Sequence, residues 1–164
     1  MLTTALVLGL AVAGSRTTGS PAPKDPCTLL TPAEVQTLAP GAKIGPGVSS
    51  KVEEMAVACE WKWGAGNTAQ SLQVILGDNA KMYPGTSPSD LRLGLMLQTK
   101  TQGATAVAVP GVGEAAIFDS SGPNRAEATA LVKSVNAHVV LQGPDARAKK
   151  AQVISLLKAV AGRL

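Results

Sequence analysis

The chain has 164 residues, 45% of them apolar, but its aromatic side chains amount to two Trp, one Tyr and one Phe. That length suits one modest domain once its leading segment is set aside, and a core so poor in aromatics gains from a covalent staple. A net charge of +4 favours solubility and falls well short of a nucleic-acid footprint, so no nucleic-acid partner is expected.

Leu2 to Gly14 is uncharged and ends in small residues. It is too short to span a bilayer core, which takes about 20 helical residues, and a Thr/Ser/Gly/Pro tail comes directly after it. Residues 1–14 therefore read as an export signal. Ala11-Val12-Ala13 fits ordinary cleavage; Val12-Ala13-Gly14 also resembles a lipobox, but Ser15 stands where the lipid-bearing Cys belongs. The expected product is secreted, without a transmembrane span. A cysteine natively at position 15 would instead give a lipid-anchored protein on the outer membrane face. Residues 15–25, polar and Pro-rich, read as a flexible spacer, and residues 26–164 as the folded domain.

Cys27 comes just after the spacer and Cys59 lies in M-A-V-A-C-E-W-K-W, Met55 to Trp63. In an exported protein two cysteines most simply form one disulfide, with two independent buried thiols as the alternative. Closing a loop of roughly 30 residues would contribute on the order of 3–4 kcal/mol. Two Cys and one distant His do not make a zinc set, and the spacing is not that of a redox C-x-x-C.

Thr31-Pro32-Ala33-Glu34 is a capping box with Pro at the first helical position, and Ala39-Pro40-Gly41 ends that short helix. Ile44 to Lys51 is expected to be a loop or weak edge strand. In Met55–Trp63 the odd residues Met55, Val57, Cys59, Trp61 and Trp63 share one face, the period of a half-buried strand. It reads as the central strand. Leu72, Val74 and Leu76 resume the alternation as its hairpin partner. Ser87-Pro88-Ser89-Asp90 repeats the capping signature before L-R-L-G-L-M-L-Q-T-K, where leucines alternate like a strand; the cap and the straight-chain residues decide for a helix. Thr105–Val109 and Ala115–Phe118 come next as strands about the turn Pro110–Gly113, then Ala126–Val132 and Ala137–Gln142 as a last hairpin. Pro144-Asp145 opens a terminal helix with Val153, Leu156, Leu157, Val160 and Leu164 on one face and Arg147, Lys149, Lys150 and Lys158 on the other. Hairpin-linked strands interrupted by helices predict an α+β fold, an antiparallel sheet covered by helices.

Signals for chemistry are sparse. Gly111-Val112-Gly113-Glu114-Ala115-Ala116 has the letters of a dinucleotide loop, but Ala115 to Asp119 reads as a strand, whereas pyrophosphate binding needs a helix start. No cofactor or metal is expected. His138, the only histidine, lies on the strand face of Val140 and Gln142, with no acid near it in sequence and no G-x-S-x-G elbow to supply a nucleophile. Glu53, Glu54 and Asp78 read as loop and turn acids. The basic side of the terminal helix could touch an anionic membrane surface, although a helix packed on the sheet is the default.

Asp25-Pro26-Cys27-Thr28-Leu29-Leu30-Thr31-Pro32-Ala33-Glu34-Val35 resembles the D-P-C-x-L-L-T-P-x-E-V opening of actinobacterial secreted lipoproteins grouped as domain of unknown function 3558. Cys59-Glu60-Trp61 is similar to their C-x-W strand, and Val109 to Ala116 to their V-x-G-x-G-D-x-A turn. The resemblance covers about Asp25 to Gln142. It implies a Cys27–Cys59 bridge, an envelope location and a sheet-plus-helices domain somewhat like mycobacterial lipoproteins and kinase sensor domains. It carries no activity, because none is assigned to that family in general. The expectation is thus a non-enzymatic envelope module that binds a small ligand or an envelope protein on its sheet face or in a cleft between sheet and helices. The alternatives are a hydrolase with dispersed residues around His138, and an accessory subunit of a surface complex.

Overall fold

A computed structural model describes residues 24–101 and 106–164. The expected signal, most of the spacer, and Thr105 lie outside the described residues. The strands β1 (Val48–Val52), β2 (Ala56–Trp63), β3 (Gln70–Asp78), β4 (Ala106–Ala108), β5 (Ala115–Gly122), β6 (Arg125–Val132) and β7 (Val135–Gln142) form one sheet. Its order is β1-β2-β3-β7-β6-β5-β4, and every neighbouring pair is antiparallel. Two meanders therefore meet where β3 pairs with β7. The helices are α1 (Pro32–Gln36), α2 (Asn79–Met82), α3 (Pro88–Thr101) and α4 (Lys150–Arg163). This is the expected α+β architecture. One placement changes: the tryptophan strand β2 lies one in from the edge, and β7 is the middle strand. Aromatic content marks β2 as important, but its outer neighbour, the exposed β1, carries few apolar residues, so β2 sits near the margin of the core.

One face of the sheet is dry. Reading across the register, Cys59, Val74, Val139 and Ala128 stand in one row, and Trp61, Leu72, Leu141 and Ala126 in the next. The β6 residues Ala126, Ala128 and Ala130 are fully buried; these small side chains leave room for α4, which packs on β6 and β7 with Val153, Leu156, Leu157 and Val160 buried. Lys150 places its ammonium 5.2 Å from the centre of the Phe118 ring, a cation–π contact at the rim.

The leading segment closes this face. Asp25 caps the turn Pro26–Thr28 through the amide of Cys27, Thr31 and Glu34 form the expected capping box, and Leu29, Leu30, Val35 and Leu38 join the core. Cys27 and Cys59 are disulfide-bonded with their Cα atoms 5.1 Å apart. Gly47 crosses directly over this bridge, where a Cβ would come within 2.7 Å of the Cys59 sulfur and the Trp61 ring nitrogen. Arg163 then clasps the two ends of the fold. Its guanidinium holds both Glu34 carboxylate oxygens at 2.8 Å and donates to the Leu29 carbonyl. The paired Arg163, opposed by burial and helped by the Thr31 bonds, holds the Glu34 carboxyl down at about 2.

The terminal helix begins later than Pro144-Asp145 suggested. Asp145 has φ 60° and makes no side-chain cap; a 3-10 turn over Ala146–Lys149 leads into α4. Lys149 is also not part of a free basic face, because its ammonium donates to the Leu38 carbonyl at 2.7 Å and to Gln70 at 3.1 Å. The same Gln70 accepts from the Trp63 indole, so the buried ring nitrogen is satisfied. Among the described residues no helix is long and apolar enough to cross a membrane.

Candidate functional site

The second face of the sheet is polar and only partly covered. Across its rows run Lys62, Ser71, Gln142 and Arg125, then Glu60, Gln73, Val140, Glu127 and Asp119, then Ala58, Ile75, His138, Thr129 and Ile117. The helix α3 lies over its β4–β5 side. Ser87 caps α3, accepting from the Asp90 amide at 3.2 Å and donating to the Asp90 carboxylate at 2.6 Å. Alternate residues of a helix point to nearly opposite sides. Leu91 and Leu95 therefore turn inward and half-buried, while Leu93 and Leu97 stay exposed. That resolves the conflict between the strand-like leucines and the cap.

Between α3 and the sheet lies a cleft of about 330 Å³, walled by Leu91, Leu95, Leu131 and Tyr83, with Asp90 and Gln98 of α3 and Glu127, Thr129, Asn136 and His138 of the sheet as its polar groups. The hairpin β6–β7 sets their geometry. Its turn is only Lys133-Ser134, with Val132 facing Val135, so Thr129 is directly opposite His138 and Glu127 is diagonal to it. Such diagonal neighbours on one face are within reach of long side chains. Glu127 Oε1 lies 2.9 Å from His138 Nδ1, and Thr129 Oγ1 lies 3.0 Å from the same nitrogen. The other Glu127 oxygen accepts from Arg125 at 2.6 Å. Burial pushes the Glu127 carboxyl up, but the bonds from His138 and Arg125 outweigh it and hold the group down at about 2. Glu127 is therefore a fixed carboxylate, and Nδ1 donates to it. Both side chains of the pair are 23% exposed.

Asn136, 9% exposed, also lines the cleft, and its Oδ1 is buried without a hydrogen-bond partner among the described residues. A buried acceptor left unpaired costs roughly 1–3 kcal/mol, so it marks a place where a donor is missing. Asp119, opposite Glu127 on β5, also carries a buried Oδ1 without a partner among the described residues. A larger groove of about 710 Å³ opens at the strand ends beside Lys62 and Arg125, but those cations are already paired with Glu60 and Glu127.

Of the residues weighed for chemistry in the sequence, His138 alone enters this cleft. The acid missing from its sequence neighbourhood is Glu127, brought in by the hairpin. Glu53 and Glu54 are exposed in the β1–β2 turn, and Asp78 caps α2 through the Ala80 amide, a structural use. The Gly111–Gly113 segment is a turn: β5 starts at Ala115, and Gly113, at φ 54°, lies where a Cβ would meet the Leu131 carbonyl at 2.2 Å. Among the described residues no group of three or more His, Cys, Asp or Glu could hold a metal ion. Glu127, Thr129, Asn136 and Tyr83 were missed. The first three were accessible from the short β6–β7 turn by counting outward from Lys133-Ser134; nothing local marks Tyr83. Comparison with family models, curated proteins and solved structures finds no match to this chain.

Proposed function

We propose that this is an exported cell-envelope protein, non-enzymatic, that binds a small ligand in the cleft between α3 and the β6–β7 hairpin. The observation that carries the reading is the convergence there of a leucine wall, an oriented Glu127–His138 pair and an unpartnered buried amide oxygen. Ligand sites typically combine an apolar lining with a few placed polar groups, and about 330 Å³ stands at the small end of their range. Export is supported by the leading apolar run and by the disulfide, which persists in oxidising compartments. The resemblance to the lipoprotein family of unknown function supports the same placement.

The hydrolase reading has one contact in its favour, the acid that orients His138. A relay from acid through imidazole to nucleophile uses the two ring nitrogens separately. Here the carboxylate and the Thr129 hydroxyl share Nδ1, so Thr129 is not set up for activation. Protein recovered from the extracytoplasmic fraction, denatured and extracted, should release a small molecule detectable by mass spectrometry, and Leu95→Trp, which fills the cleft, should abolish its retention. Recovery only in the cytosol would defeat export. Equal retention by the Leu95→Trp protein, or none by either, would defeat the cleft.

A further inference from the structure

Resting on the cleft as the binding site, we infer that its ligand is a small donor-headed amphiphile, an ammonium or hydroxyl group on a compact apolar body, and not a carboxylate or phosphate. Three observations converge on that class. Asn136 Oδ1 is a buried acceptor with no donor among the described residues. With His138 Nδ1 engaged by Glu127 and Thr129, Nε2 is the ring nitrogen left over for a ligand. The two residues are same-face neighbours on β7 (Val135–Gln142), about 7 Å apart along the strand, so one head group reaches between them.

Charge points the same way. Asp90 and Glu127 line the cleft, and among the described residues no Lys or Arg does. Asp119 stands across from Glu127, and the adjoining cation, Arg125, is bonded to the second Glu127 oxygen. An anionic head would meet the like charge of Asp90 and Glu127 with no lining Lys or Arg to offset it; an ammonium or hydroxyl supplies the donor that Asn136 lacks. The leucines and Tyr83 accept the apolar body. With a water occupying about 30 Å³, a cleft of about 330 Å³ suits a ligand of about ten non-hydrogen atoms.

The test uses matched hexyl probes at neutral pH, titrated calorimetrically into the full-length protein: hexylamine, n-hexanol and hexanoate. The amine and the alcohol should bind, with hexanoate at least about tenfold weaker. Asn136→Leu should weaken amine and alcohol alike, and Glu127→Gln should weaken the amine more than the alcohol; cooperative thermal unfolding of each variant confirms a folded site. Hexanoate binding as tightly as the amine would overturn the donor-head assignment while leaving the cleft a site, and so would undiminished binding by Asn136→Leu. Failure of all three probes, with no cleft resonance perturbed, would overturn both this assignment and the cleft reading on which it rests.

Discussion

On one face of the sheet Leu72, Val74, Val139 and Leu141 meet Val153, Leu156, Leu157 and Val160 of α4, all of them at 3% exposure or less. On the other face Glu127, Thr129 and His138 meet an α3 in which, among the described residues, no side chain is fully buried. The same strands supply both, because successive residues point to opposite sides. The first face is held by shape, a disulfide and the Arg163 clasp. The second leaves buried oxygens unsatisfied, a cost that a bare scaffold would gain by eliminating. Stability and recognition are thus separated by residue parity, and substitutions on the two faces should have different consequences.

The largest effect should come from the bridge at the margin of the dry face. Cys27 and Cys59 are separated by 32 residues, and opening that loop should cost about 3–4 kcal/mol in the chain-entropy model. Reduction should lower Tm by roughly 10 °C for a domain of this size, measured by calorimetry with and without reductant. Near-identical melting curves would mean that the leading segment is held by packing alone. Next, Leu157→Ala should cost about 3 kcal/mol, within the range for fully buried leucines, with chemical denaturation as the check. A loss below about 1 kcal/mol would show that α4 relaxes over the alanine row of β6 and that the face is less rigid than its burial implies.

An acid titration sharpens the contrast because each face has a carboxyl held down at about 2. Glu34 and Glu127 both ionise at about 2 in the fold against an ordinary 4.5. The unfolded chain therefore binds more protons than the native one between these values. The stabilisation is complete above about 4.5 and is lost as pH falls through about 2. For Glu127 the raw shift corresponds to about 3 kcal/mol, reduced by whatever solvent screening its partial exposure allows. Glu127→Gln should flatten the acid limb while leaving the Glu34 contribution in place. An unchanged limb would mean that the His138 and Arg125 bonds persist in the unfolded chain.

Much of the dry face was legible in the sequence. Alternation in Met55–Trp63, the capping box at Thr31 and the apolar stripe of α4 are each local signals, short motifs or periods of 2 or 3.6 residues. The order of strands was not legible, since pairing β3 with β7 is a long-range choice governed by which buried edges fit. Nor was the clasp between Glu34 and Arg163, whose partners lie 129 residues apart. The cleft falls between these cases: Glu127 and His138 are 11 residues apart and joined by a hairpin whose register is set by its turn. Counting from the same turn also places Asn136, but its unpaired oxygen was invisible, because that is a property of packing and not of composition.

The smallest effect is expected on the outer side of α3. Leu93 is 58% exposed and turned away from Leu91 and Leu95, so Leu93→Ala removes little buried area and should change stability by no more than about 0.5 kcal/mol. Leu95→Ala, on the inner side, removes part of the cleft wall; it should weaken ligand retention more than it lowers Tm, because the wall belongs to a helix that the core does not grip. Parallel denaturation and ligand-extraction measurements on the two variants separate these outcomes. If Leu93→Ala destabilised the protein as strongly as Leu157→Ala, α3 would be buried against something in solution, and the distinction between a packed face and a receptive one would fail at its weakest point.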